Sequence, residues 1–82
     1  MTLILVELRR FGSVTNSLGD AVGERLLQSV LARLHAEGHD MVARIGDANF
    51  GLVVPNLSGR FAVLHSCRLL IDRLVEPYVI GD

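Results

Sequence analysis

Two apolar runs, residues 41–45 and 49–54, flank the short polar stretch Gly46-Asp47-Ala48-Asn49. Gly and Asp are the residues a tight reversal favours. The stretch therefore reads as a β-hairpin whose turn projects Asp47, Ala48 and Asn49 to the surface. A chain of 82 residues makes one small domain, residues 1–82, and buries only about two-thirds of its unfolded surface. Half of the residues are hydrophobic, enough for a core without staples. Cys67 has no partner for an internal disulfide, so a reducing, cytoplasmic setting is the simplest. A net charge of −1 supplies no drive toward nucleic acid or an anionic membrane. The run Leu3-Ile4-Leu5-Val6 is too short for a membrane span, and it lacks the flanks of a signal peptide.

Around the hairpin, strand and helix patterns alternate. Residues 2–8 form a near-continuous apolar run, which predicts a central strand buried on both faces. Arg9 and Arg10 end it, and residues 11–19 mix loop formers with room for one helical turn. From Asp20 the period changes: Val22, Leu26, Leu27, Val30, Leu31 and Leu34 form one stripe of an amphipathic helix. Ser17 or Asp20 is placed to cap its start and Gly38 to end it. Gly23 inside this helix costs about 1 kcal/mol relative to Ala, which points to a close backbone approach. Residues 60–74 show helical spacing through Val63, Cys67, Leu70, Ile71 and Leu74, with Ser58 as a cap. Residues 76–80 predict a short final strand, with Pro77 near its start where a missing N–H is tolerated. The order β-α-β-β-α-β predicts an α+β, ferredoxin-like plait, one antiparallel sheet backed by two helices.

Arg44, Gly46, Phe50 and Pro55 fit the hairpin pattern Arg-x-Gly-Gly-Asp-Glu-Phe-x-x-x-x-Pro, and in this the chain resembles GGDEF domains, the bacterial diguanylate cyclases. The resemblance extends further. Leu5-Val6-Glu7-Leu8-Arg9-Arg10-Phe11 falls where the family has an apolar strand followed by Asp-x-Asp-x-Phe. Thr15 to Glu24 falls on Asn-Asp-x-x-Gly-His-x-x-Gly-Asp, and Asp40 to Arg44 on Asp-x-x-x-Arg. Several spaced matches in the right order are far more specific than one hairpin. The whole chain is covered, but it corresponds to the first half or more of such a domain. A full member continues into a further central strand and a helix with basic residues, so an incomplete domain is expected.

The resemblance implies a site, and the residues depart from it. Phosphoryl transfer of this type needs carboxylates that hold divalent metal against a triphosphate. The first family carboxylate falls on Glu7, a vestige of the metal site. The second acidic position falls on Arg9, which repels a magnesium ion. In the turn, the second glycine falls on Asp47, the metal-binding acid on Ala48 and the last acid on Asn49. Ala48 has no ligand atom and Asn49 cannot act as a base. The nucleotide-binding positions fall on Thr15, Gly19, Gly23 and Glu24. Thr15 lacks an amide, while Glu24 can still accept hydrogen bonds from a guanine edge. Of the inhibitory Arg-x-x-Asp motif only Asp40 survives, the arginine position being Glu37.

Each of these residues also has an ordinary reading. Glu7 can pair with Arg9, since i and i+2 of a strand face the same way. Glu24 near a helix start is favourable on dipole grounds alone, and Asp47 is ordinary turn chemistry. Arg44 can be structural or face a partner. His35 and His39 are four apart, but Gly38 breaks the helix between them. Cys67 lies on an apolar stripe and reads as a small hydrophobe. The resemblance and these departures together imply a catalytically inactive GGDEF-like regulatory module with at most a vestigial magnesium and GTP site. Its expected partner is an EAL or sensor domain of the same chain, or a second copy, with no nucleic acid and no membrane contact. Two rival readings are a GTP sensor that binds without turnover and a free-standing ferredoxin-like interaction domain.

Overall fold

The computed structural model describes residues 1–80. Strands β1 (Thr2–Glu7), β2 (Val42–Arg44) and β3 (Asn49–Val54) form one antiparallel sheet, with helices α1 (Phe11–Leu18), α2 (Asp20–Ala36) and α3 (Arg60–Leu74). The strand order is β1-β3-β2, so the hairpin's second strand is the centre of the sheet. Its register runs from Thr2 opposite Val54 to Glu7 opposite Asn49, and from Val42 opposite Leu52 to Arg44 opposite Phe50.

One face of the sheet carries the core. Phe50 and Leu52 of β3 and Ile4 of β1 meet Leu27, Val30 and Leu34 of α2 and Leu70 of α3, all buried. The three α2 residues belong to the stripe visible in the sequence, and each full burial of such a side chain contributes about 1.5–3 kcal/mol. Gly38, at φ 94, follows α2 as expected, and α3 begins and ends where its spacing predicted.

Several expectations fail for identifiable reasons. β1 is not buried on both faces: Ile4 faces the core, while Leu3 and Leu5 are 61% and 66% exposed on the other side. Residues 11–18 form a helix of two turns, where the composition predicts at most one among loop formers. Phe11 packs against the core, and that contact outweighs the poor propensities of the glycine, serines, threonine and asparagine in this helix. Because α1 runs through Leu18, Ser17 lies inside a helix, and Gly19 stands at the start of α2 with no side-chain cap. Gly19 takes φ 94, a value that lets two helices meet at one residue. Gly59, not Ser58, occupies the corresponding position before α3.

Three helices, not two, therefore accompany the sheet. Residues 76–80 form no strand. Arg33 of α2 instead takes two of their carbonyls, Glu76 (2.6 Å) and Pro77 (3.0 Å), together with that of Arg73 at the end of α3 (3.1 Å). Its guanidinium also lies 3.7 Å from the centre of the Tyr78 ring, a favourable cation–π arrangement.

Candidate functional site

A cleft of about 900 Å³ opens where the end of β1, the N-terminal parts of α1 and α2 and the hairpin turn converge. The turn at residues 45–49 is closed by the Ile45 N–H donating to the Asn49 carbonyl at 2.9 Å. The next bond fastens it to β1, with the Leu8 N–H donating to the Ala48 carbonyl at 2.9 Å. Ala48 is half-buried against the core, so the turn sits on the fold with Asp47 and Asn49 beside the cleft. Arg10 turns the chain from β1 into α1 in the left-handed region, at φ 61. Arg9 and Arg10 thereby reach the cleft wall with Phe11 and Gly12.

Most of the residues singled out in the sequence come together here. Glu7, Thr15, Glu24, Asp47, Ala48 and Asn49 all line the cleft, although they come from separate parts of the chain. Gly19 and Gly23 do not line it. The N–H of Gly19 donates to the Thr15 carbonyl at 2.9 Å, closing α1. Gly23 is buried where α2 meets α1, and a Cβ there would collide with the Thr15 methyl and lie 3.1 Å from the Phe11 ring. The close approach expected of Gly23 is thus between helices. Thr15 donates its own hydroxyl to the Gly12 carbonyl at 3.0 Å. Asp40 lies elsewhere, in a cavity of about 120 Å³ with His39, Met41 and Pro55.

The charges of the cleft are organised by Arg44. Its Nη1 reaches both carboxylate oxygens of Glu24, at 2.9 and 3.2 Å. Its Nε donates to the Gly46 carbonyl at 3.3 Å and its Nη2 to the Asp47 carbonyl at 3.2 Å. One side chain thus ties the turn to the first part of α2. This pairing was not legible in the sequence, because the partners stand twenty residues apart on different elements. Glu7 and Arg9 form no ion pair among the described residues. β1 ends at Glu7, so Arg9 lies in the following turn and the i, i+2 rule of a strand does not reach it.

The donor set does not suit a hard divalent cation, which wants several oxygen ligands around one point. Glu7 has Arg9 and Arg10 for neighbours on the wall, and Ala48 offers no ligand atom. Among the described residues no group of three or more His, Cys, Asp or Glu could hold a metal ion. His35 donates Nδ1–H to the His39 carbonyl at 2.9 Å, which occupies it at the helix end. No helix is long and apolar enough to cross a membrane among the described residues.

The family model described as diguanylate cyclase, GGDEF domain, matches residues 1–82. A probable diguanylate cyclase of Escherichia coli K12, DgcE, is 29% identical over 76 residues, covering 90% of this chain and 6% of that protein. The X-ray structure of an EAL/GGDEF domain protein from M. capsulatus superposes with a TM-score of 0.83 at 30% identity. The match covers 96% of this chain and 52% of that one, so the chain spans about half of the solved relative and a small part of the curated one.

Proposed function

The chain belongs to the GGDEF family of diguanylate cyclase domains, and from that premise we propose that it is a regulatory and interaction module of a bacterial cyclic di-GMP signalling protein that does not turn nucleotide over. The observation that carries this reading is the cleft's composition. The positions that resemble the family's metal and acid residues are Ala48 and Asn49, and Arg9 and Arg10 stand beside the remaining Glu7. The family's magnesium ion does not fit these donors.

The base-reading position supports the same conclusion. Glu24 is engaged by Arg44 at 2.9 Å, so a guanine edge would have to displace a guanidinium to reach it. At Asp40 the inhibitory motif lacks its arginine, which argues against tight product binding. The module acts by packing: the hairpin tip around Arg44, Asp47 and Asn49 is a defined surface for a neighbouring domain. An EAL domain is a natural neighbour, since the solved relative is an EAL/GGDEF protein. We assign it to the cytoplasm on the single free thiol.

A second reading, a GTP sensor without turnover, draws support from Thr15 and Glu24 sharing one cleft. A thermal-shift titration with GTP and with cyclic di-GMP, each with and without magnesium, separates the two. A ligand at a hundred times its dissociation constant adds about 2.7 kcal/mol and raises the melting temperature by several degrees. The regulatory reading predicts no shift at millimolar nucleotide. A magnesium-dependent shift with GTP would overturn it in favour of the sensor.

A further inference from the structure

We propose that Arg44 is an autoinhibitory plug, a side chain of the fold that occupies the Glu24 carboxylate in place of a guanine base and admits the base when it is withdrawn. The proposal rests on the reading above, in which Glu24 is the base-facing group of a cleft that does not turn nucleotide over. It adds what closes that cleft and what opens it.

Guanine presents N1–H and its 2-amino group side by side, two donors joined through one carbon. A guanidinium is the same fragment. A carboxylate receives such an edge through both oxygens at once, in two parallel bonds. Nη1 of Arg44 lies 2.9 Å from one Glu24 oxygen and 3.2 Å from the other. It therefore stands on the side of the carboxylate that a two-donor edge needs. Leu8, Phe11 and Leu27 line the same cleft and supply apolar wall for a flat ring. Adenine would bring the acceptor N1 to that carboxylate and is refused. Thr15 gives its hydroxyl proton to the Gly12 carbonyl, so selection of the base falls to Glu24.

The plug is held loosely enough to leave. One nitrogen shared between two oxygens is a poorer arrangement than two parallel bonds. Arg44 cannot improve it, because its Nε and Nη2 are held by the carbonyls of Gly46 and Asp47. Both side chains are also about half exposed, where an ion pair is weak and screened by salt. The same tether couples the plug to the hairpin tip, so a partner that shifts the tip carries the guanidinium with it. Docking at the tip and access to Glu24 are then two states of one element.

Uncharged guanosine tests the plug apart from metal and phosphate. The isotope-labelled chain is titrated with guanosine, inosine and adenosine in EDTA, and the amide resonances of Glu24 and residues 46–48 are followed by NMR. The wild type is expected to respond weakly to guanosine, and more strongly as salt is raised. Arg44→Ala removes the ion pair and both carbonyl bonds together, so guanosine should bind at least about tenfold tighter. Inosine, without the 2-amino group, should bind more weakly than guanosine, and adenosine should not bind. Glu24→Ala in the same chain should abolish the gain. Should Arg44→Ala fail to fold, Arg44→Met keeps the stem and drops every donor, and the salt response of the wild type needs no variant at all. A folded Arg44 variant that binds guanosine no better than the wild type would overturn the proposal. So would a gain that adenosine shares, a gain that survives Glu24→Ala, or a wild-type response indifferent to salt. The regulatory reading fails on a different result, magnesium-dependent GTP binding by the wild type.

Discussion

Arg44 holds Glu24 across the cleft, its Nη1 within 2.9 Å of one carboxylate oxygen and 3.2 Å of the other. The same guanidinium bonds two carbonyls of the hairpin turn, so a single side chain orients the turn against α2. Both partners are about half exposed, at 40% and 51%, and an exposed pair contributes about 0.2–1 kcal/mol. A double-mutant cycle with Arg44→Ala and Glu24→Ala should return a coupling of that size that shrinks with added salt. Arg44→Ala should also speed amide exchange in residues 46–48, whereas Glu24→Ala should leave the turn bonds standing. Equal loosening of the turn by both variants would show that the ion pair, not the carbonyl bonds, positions it.

Gly23 allows α1 to lie against α2, with the Thr15 methyl and the Phe11 ring filling the space where a Cβ would stand. A helix interior ordinarily gains about 1 kcal/mol from Gly→Ala. Here the sign reverses, because overpacking costs about 1–3 kcal/mol. Gly23→Ala should lower the melting temperature, and Thr15→Ala in the same chain should recover part of the loss. Thermal denaturation of the two single variants and the double variant measures the coupling.

Arg33 fastens the chain after α3 by three carbonyls and a ring. Replacing it with Lys keeps the charge and loses the planar fork. Either Arg33→Lys or Arg33→Ala should expose residues 75–80 to protease, with a loss of about 1–2 kcal/mol for Ala.

Tyr78 sets an alkaline limit. Burial pushes its hydroxyl above the ordinary value of about 10, with Arg33 pulling the other way. A raised pKa in the folded state means a contribution that is whole below about pH 10 and is lost as pH rises through the folded value. The buried hydroxyl has no hydrogen-bond partner among the described residues, so Tyr78→Phe should leave neutral stability unchanged or slightly higher. Its stability should fall less steeply above pH 10, as read by urea midpoints across that range.

The parts of this fold legible in the sequence are those with a single dominant period. The α2 stripe of Leu27, Val30 and Leu34 reports one buried face; the α3 spacing marks that helix's bounds, although of its stripe only Leu70 is buried and Ile71 is exposed; and the Gly46-Asp47 turn separates two short strands cleanly. What escaped depends on contacts between distant residues. The apolar run of β1 carries the same residues whether one face is covered or two, so it does not show that Leu3 and Leu5 stand in the open. α1 is held by Phe11 against the core, while most of its other residues favour loops. The strand expected at residues 76–80 is undone by Arg33, more than forty residues away in sequence. At the site, residue types could be read position by position through resemblance. The Arg44–Glu24 pair, which decides how the charges are spent, could not.

A cleft that keeps the family frame without its metal ligands should not turn nucleotide over, and product formation tests this most directly. The chain is incubated with GTP and magnesium or manganese, and cyclic di-GMP is read by mass spectrometry. No product above a protein-free control is expected with either metal. Metal-dependent cyclic di-GMP that disappears in Glu7→Ala would contradict it, showing that Glu7 still holds a catalytic ion despite Ala48 and Arg9.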